Sequence, residues 1–336
     1  MKLAIDAMGG DYAPEKNVQG VELARDKYSD VKFTLFGKED QIKKYLNNGE
    51  RITIVHTDSE IAMGDEPVRA VRQKKTSSLV LAAQAVKEGK ADALFSAGNT
   101  GALLAASLFI IGRIKGIDRP GMTTTLPALE GSPDSFTMLD VGANAESKVK
   151  NLQQFAVLGN FYSSNVMGVT NPRIALLNNG AEEDKGDPLH KETYQVLKDD
   201  PNLNFVGNIE SRELLAGKAD VVVTDGFTGN AVLKNTEGTA LSMLKLIKHT
   251  ILDSGVQVKL GGMLLKPAFK VIQDKMDYSK HGGAVLLGVK APVVKAHGSS
   301  NEIQVSNALR QLRSMVKSNL TQNLADYFAA RPTDKK

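Results

Sequence analysis

The sequence predicts an α/β fold of three layers, a largely parallel sheet covered by helices on both faces. Two observations carry this. Short β-branched or apolar runs end in Gly, Asn or Asp, and helical patterns recur between those runs. A third, the amphipathic and basic segment 238–280, adds a projecting helical hairpin to that body.

The elements follow in order. Strand 2–5 ends in AMGGD (7–11), and helix 17–27 comes next. Strands 32–36 and 52–56 precede helix 78–87, and strand 93–95 then runs into SAGNTG (96–101). Strand 135–140 leads to DVGANAE (140–146), and strand 173–177 to LNNGAEEDKG (177–186) and helix 189–197. Strands 204–206 and 219–224 follow, the second opening through TDGFTGN (224–230) into helix 231–249. In the hairpin, 239–253 places Ala240, Leu241, Leu244, Ile247, Ile251 and Leu252 near one face. A second apolar set contains Met263, Leu264, Leu265, Phe269, Val271, Ile272 and Met276, with Pro267 marking a turn or kink. The tail 331–336 is expected to fray.

A chain of 336 residues, 42% hydrophobic, can build one large core or two modest lobes. Without a repeat or low-complexity linker, the reading is one continuous unit over 1–330. The net charge of +4 gives no reason to expect nucleic acid. The absence of cysteine excludes disulfides, thiolate metal sites and a cysteine nucleophile, and fits a reducing compartment. MKLAIDAMGG reads as a first strand and turn rather than a signal peptide, because Asp6 breaks a short apolar run. No apolar stretch is long enough to cross a bilayer, and the expectation is a soluble, cytoplasmic protein.

In a parallel sheet, ligands gather where the carboxyl ends of strands open into loops. AMGGD, SAGNTG, DVGANAE, LNNGAEEDKG, TDGFTGN and HGGA (281–284) share glycine, and most carry Asn, Asp or Thr. Gathered on one edge, they predict a polar cleft that accepts an anion, with Asn99 and Thr100 at a helix start suited to phosphate. The P-loop, the G-x-G-x-x-G fingerprint, the G-x-S-x-G elbow and H-E-x-x-H are all absent. His56, His190, His249, His281 and His297 are scattered, so neither a metal nor a cofactor is expected.

Several segments together resemble the PlsX family of bacterial phosphate acyltransferases of phospholipid synthesis. They are AIDAMGGDYAPE (4–15), GDEPVRAVRQKKTSS (64–78), SAGNTGAL (96–103), GRIKGIDRPG (112–121), LDVGANAE (139–146), ADVVVTDGFTGNAVLK (219–234) and APVVKAHGSS (291–300). The resemblance runs from about residue 2 to 325 with the motifs in family order. It implies acyl transfer from acyl carrier protein to inorganic phosphate. It also implies a fold similar to the isocitrate and isopropylmalate dehydrogenases and to phosphotransacetylase. A homodimer peripherally bound to an anionic membrane is implied too, with a downstream membrane enzyme acylating glycerol phosphate as recipient of the product. The chain departs from the family pattern at Gly121, at Asn179 and in AESKVKN after DVGAN.

That chemistry needs no strong base. Phosphate is already largely dianionic near neutrality, taking the second phosphoester pKa of about 6 as a guide. A thiol of pKa about 8.5 leaves as thiolate with little help. A phosphate cradle, a positioned carbonyl and oxyanion donors suffice. Gly98, Asn99, Thr100 and Gly101 are the expected cradle, with Gly9 and Gly10 lining the same cleft. Lys185 is a candidate countercharge, or else a solvated lysine paired with Glu182 or Asp184. Asn144 and Asn230 are candidate donors or helix caps. Asp225 orients a cation, raises phosphate basicity, or is a turn residue before Gly226; Asp6 and Asp11 share that ambiguity, and Asp11, Gly226 and Gly229 join the expected substrate-binding set. Ser96 as a covalent acyl carrier is disfavoured, since no histidine is near it in sequence. Arg69, Arg72, Lys74 and Lys75 form either a solvated face or a landing patch for the acidic carrier protein. Met263, Leu264 and Leu265 are the expected membrane contact. Two other readings remain: a metal- and nicotinamide-dependent hydroxy-acid dehydrogenase of similar fold, and a non-catalytic membrane organiser.

Overall fold

A computed structural model of the chain describes residues 1–131, 134–276 and 282–331. His281 of the expected HGGA loop, 277–280 of the expected hairpin and 332–336 of the expected frayed tail lie outside the described residues.

The first part runs β1 (Lys2–Asp6), α1 (Glu15–Lys27), β2 (Lys32–Gly37), α2 (Glu39–Lys43), β3 (Ile52–His56), α3 (Pro67–Gln73), α4 (Ser78–Lys87), β4 (Ala93–Ser96) and α5 (Thr100–Ala106). A π turn, Ser107–Ile111, extends α5. The chain continues through β5 (Gly121–Pro127), β6 (Ser135–Leu139), α6 (Val149–Asn165), β7 (Arg173–Asn178), α7 (Pro188–Lys198), β8 (Asn204–Glu210) and β9 (Val221–Val223). It ends with α8 (Gly226–Asp253), α9 (Val256–Met276), β10 (Ala284–Leu287), β11 (Val293–Lys295), α10 (Glu302–Lys317) and α11 (Leu320–Ala329).

These strands form one sheet in the order β3-β2-β1-β4-β11-β10-β5-β6-β9-β7-β8. Helices cover both faces, as the alternating pattern requires. One face carries a core built from Val18, Val21, Phe155, Leu158, Leu309 and Leu312, among others, supplied by α1, α6 and α10. On the other, α4 and α5 bury Leu79, Val80, Ala102 and Leu103, and α8 lays Val232 and Leu233 beside Met122, Phe136 and Met138.

The sheet is not parallel throughout. β10 runs antiparallel to both β11 and β5, and β5 antiparallel to β6. The block β6-β9-β7-β8 therefore points opposite to β3-β2-β1-β4-β11. This corrects the expectation that all six glycine loops share one edge. AMGGD and SAGNTG leave the sheet in one strand direction; DVGANAE, LNNGAEEDKG and TDGFTGN leave in the other. The exits are nonetheless close to one line across the sheet, because Ser96 aligns with Lys295 and Ala284, while Leu139 aligns through Thr123 with Val285.

The hairpin forms as expected. α8 and α9 meet at Ser254 and Gly255, and most of their side chains beyond Gly238 are exposed. At its base, α8 presses on the 140–144 turn. A Cβ on Gly229 would stand 1.9 Å from the Asp140 carbonyl oxygen, whereas nothing lies within 4 Å of one on Gly238. Gly229→Ala is therefore expected to cost about 1–3 kcal/mol or more through forced displacement. Gly238→Ala, in the same helix, should be neutral or gain up to about 1 kcal/mol. Denaturant midpoints of the two variants measure the contrast; equal midpoints would refute the contact.

Candidate functional site

At the ends of β1 and β4, buried Asp6 accepts hydrogen bonds from the Ser78 hydroxyl at 2.6 Å and the Ser96 hydroxyl at 2.7 Å. The Gly98 amide donates to Ser96 Oγ at 3.0 Å, so the carboxylate fixes the start of the SAGNTG turn. Gly9 lies against that turn. A Cβ there would be 2.6 Å from both Asp6 Oδ2 and the Gly98 nitrogen. Gly10, at φ +111°, turns the chain so that the Asp11 amide meets the Gly298 carbonyl at 2.8 Å.

Lys295 closes this nest from β11. Its side chain is buried, and Nζ donates to the Ala97 carbonyl at 3.1 Å and to the Ala296 carbonyl. Burial pulls its pKa down to about 8, against the opposing pull of the Asp6 and Asp11 carboxylates. Burial also pushes the Asp6 carboxyl above its ordinary value, against the hydrogen bonds from Ser78 and Ser96.

Asn99 caps α5, its Oδ1 accepting from the Ala102 amide at 3.0 Å. Its Nδ2 donates to the carbonyls of Met63 and Asp65, each at 3.0 Å. The side chain is thus committed to holding the helix start against the 63–65 loop. Gly101 sits under Pro67 of α3, where a Cβ would be 2.5 Å from Pro67 Cγ. What stays free at the helix start, among the described residues, is the Thr100 hydroxyl and the amides of Thr100 and Gly101. Such amides, with the helix dipole behind them, attract an anion.

At the end of β6 a second buried carboxylate organises a second turn. Asp140 Oδ1 accepts from the amides of Met122, Gly142 and Ala143 at 2.9, 3.0 and 2.9 Å. Its Oδ2 accepts from the Asn144 amide and from Asn144 Nδ2, both at 2.9 Å. Burial raises this carboxyl too, against those hydrogen bonds. Asn144 Nδ2 also donates to the Pro120 carbonyl at 2.8 Å, so both its amide hydrogens are used. Asp225 caps α8, its Oδ1 accepting from Phe227 and Thr228 amides at 3.0 and 2.9 Å. Gly226 lets the helix start approach Asn144, whose carbonyl oxygen would be 2.2 Å from a Cβ there.

Asn230 stands one turn further on, half-buried beside Gly142, and its amide has no hydrogen-bond partner among the described residues. Lys185 is exposed in the loop after β7. The Lys185 carbonyl accepts from Asn178 Nδ2 at 3.2 Å, but no ion pair with Glu182 or Asp184 forms among the described residues.

The two turns are joined across one face. Leu104 of α5 and Ala143 of the second turn pack against the same two apolar clusters, and Leu108 and Phe109, just past α5, line one cavity with Ala143 and Asn144. Of the basic cluster, Lys74 is paired with Asp65 at 2.6 Å, and Arg69 Nε donates to Gln73. Arg72 lies over the Phe109 ring at 5.5 Å, and Lys75 is exposed. His190 pairs with Asp187 and His297 with Ser299, and among the described residues no group of three His, Asp or Glu converges on a metal site. Sequence reasoning missed Lys295 and Asp140. The available signal was a lysine ending the apolar run VVK just before a glycine loop, and an aspartate closing the strand SFTML.

Comparison with known proteins places this arrangement. The model of the family described as fatty acid synthesis protein matches residues 1–323. The phosphate acyltransferase of Pediococcus pentosaceus is 72% identical over 328 residues, covering 98% of this chain and 94% of that one. Those of Limosilactobacillus reuteri and Enterococcus faecalis are 61% and 57% identical, covering 98% of this chain in each case and 96% and 99% of theirs. Among solved structures, a phosphotransacetylase from Streptococcus pyogenes superposes with TM-score 0.64 at 16% identity, covering 96% of this chain and 94% of that one. A branched-chain phosphotransacylase from Enterococcus faecalis gives 0.60 at 18%, covering 94% and 99%. The structural likeness shows the fold; the sequence match over nearly the whole length shows that the chain belongs to the phosphate acyltransferase family.

Proposed function

We propose that the chain transfers a fatty acyl group from a carrier-protein thioester to inorganic phosphate, releasing acyl phosphate and a thiol. The observation that carries the reading is the anion-ready start of α5, with free amides and hydroxyl at Thr100, held rigid from beneath by Asp6, Ser96 and Asn99. A phosphate oxygen attacks the thioester carbonyl, the carbonyl electrons pass to oxygen, and their return expels the thiolate. Asn230, whose amide has no partner among the described residues, supplies a donor to the developing oxyanion. Lys185 supplies mobile positive charge from the loop after β7. Asn99, Asn144 and Asp225 act through the backbone that they cap and tether.

Ser96 as an acyl carrier has little support: it is fully buried and its hydroxyl is engaged by Asp6. A dehydrogenase needs carboxylates converging on a metal, and the described residues bring no such group together. Thr100→Val is expected to raise the phosphate concentration needed for half-maximal rate roughly 10- to 100-fold, the usual worth of a hydrogen bond to a charged group. Initial rates with both substrates varied should give intersecting lines, the signature of attack without an acyl-enzyme. Parallel lines, or acylated protein isolated in the absence of phosphate, would contradict direct attack.

The hairpin supports a second proposal, pairing with its twin in a homodimer and resting on anionic lipid. Met263, Leu264 and Leu265 are 68%, 83% and 54% exposed. Lys245, Lys248, Lys259 and Lys266 border the apolar groove between α8 and α9. No described helix is long and apolar enough to cross a membrane, so contact would be at the interface. A product with a long acyl chain and a reactive anhydride favours delivery at the membrane surface. Replacing Met263, Leu264 and Leu265 with glutamate should abolish sedimentation with anionic vesicles while the dimer and activity persist. Undiminished sedimentation would remove the membrane role.

A further inference from the structure

A cavity of about 590 Å³ opens beside the 142–144 turn, on the flank where α5 ends. Its size suits a drug-sized or cofactor-sized group. Phe109, Pro120 and Ala143 make apolar wall, and Asn144 also lines it, two residues beyond Gly142, which lies against Asn230. Arg113, Arg119 and Lys148 make its cationic rim. Arg119 and Lys148 are exposed, with no side-chain ion pair among the described residues, whereas Arg113 NH1 donates to the Asp118 carbonyl. Two acids also line it. Asp118 is engaged by Asn151 Nδ2 at 2.8 Å, and Glu146 faces solvent. The Ser147 hydroxyl, shielded from solvent in the same wall, has no hydrogen-bond partner among the described residues.

Positive charge continues outside the cavity. Phe109, 54% exposed, lies under the Arg72 guanidinium, and Arg69 extends α3 alongside. A free small cofactor would have no use for this outer charge, whereas an acidic protein surface would. An exposed aromatic capped by arginine at the mouth is also the composition of an interface anchor.

We propose that this cavity receives the phosphodiester-bearing thioester arm of an acidic carrier protein, whose surface rests on Arg69, Arg72 and Phe109. The inference rests on the acyl-transfer reading and adds where the donor enters. The phosphodiester meets Arg119 and Lys148, the arm's apolar and amide stem follows Phe109, Pro120 and Ala143, and the thioester reaches the side of the turn where Asn230 stands.

The test is binding, which needs no turnover. Labelled holo-carrier protein, the apo form lacking the arm, and coenzyme A are titrated by fluorescence anisotropy or competition. Arg119→Glu and Lys148→Glu should each weaken holo-carrier binding about 10-fold and flatten its salt dependence, with little effect on the apo form. Arg72→Glu should weaken both carrier forms and leave coenzyme A unchanged. Lys148 is exposed and serves the fold through its backbone alone, its amide donating to Asn151 Oδ1 at 2.8 Å and its carbonyl accepting from the Asn151 and Leu152 amides, so that variant stands even if Arg119→Glu misfolds. Unchanged holo-carrier affinity in folded Lys148→Glu would overturn the proposal, as would coenzyme A binding as tightly as the carrier. Phosphate-dependent turnover of the unaltered protein, measured separately, distinguishes failure of the donor site from failure of the activity itself.

Discussion

The Asp140 carboxylate, buried where β6 ends, is the interaction on which the turn between β6 and the start of α8 depends. Its two oxygens take hydrogen bonds from Met122, Gly142, Ala143 and Asn144, so a charge that would be costly to bury is instead the template of a turn. That turn fixes the Asn144 carbonyl against Gly226 and the Asp140 carbonyl against Gly229. The glycines are therefore required by distance: any side chain would lift the start of α8 away and carry Asn230 with it. Asp6 does the same work at β1, through Ser78 and Ser96, with Gly9 pressed against Gly98.

Both nests follow one physical rule. Polar atoms that sequence reading takes for ligand donors are largely consumed inside the protein, because buried backbone and side-chain groups must find partners. Asn99, Asn144 and Asp225 are spent on caps and tethers. Of the donors expected from the sequence, those left unpaired among the described residues are the Thr100 and Gly101 amides, the Thr100 hydroxyl, the Asn230 amide and the Lys185 ammonium. On the proposed function, a frame rigidified by buried carboxylates with few free donors suits charge developing on an acyl group and phosphate. Buried Lys295 bonds the Ala97 carbonyl immediately before that frame turns into Gly98, with Asp6 and Asp11 opposing its loss of charge.

Much of this was legible in the chain. The alternation of apolar runs with helical patterns located strands at 2–5, 32–36, 52–56 and 173–177 to within a residue, because those strands are mostly apolar or β-branched and lie in parallel blocks. β5, β10 and β11 escaped. GMTTTLP carries glycine, proline and three threonines, and AVLL and VVK are too short to separate from loop. Those strands include the antiparallel insertions that reverse the second half of the sheet, so missing them produced the mistaken single edge of loops. The glycine motifs located the turns correctly, but spacing cannot tell a capping asparagine from one that faces a ligand. Asn99 and Asn230 look alike in sequence, but Asn99 caps α5 and donates to the Met63 and Asp65 carbonyls, while Asn230 lies inside α8 with no side-chain partner among the described residues.

The central claim is that phosphate itself attacks the bound thioester. Thiol release from an acyl-carrier thioester, followed with and without inorganic phosphate while the acyl product is identified by phosphorus NMR, tests it most directly. Release that requires phosphate, matched one for one by acyl phosphate, is the predicted result. Release at the same rate without phosphate, with free fatty acid as the product, would contradict it.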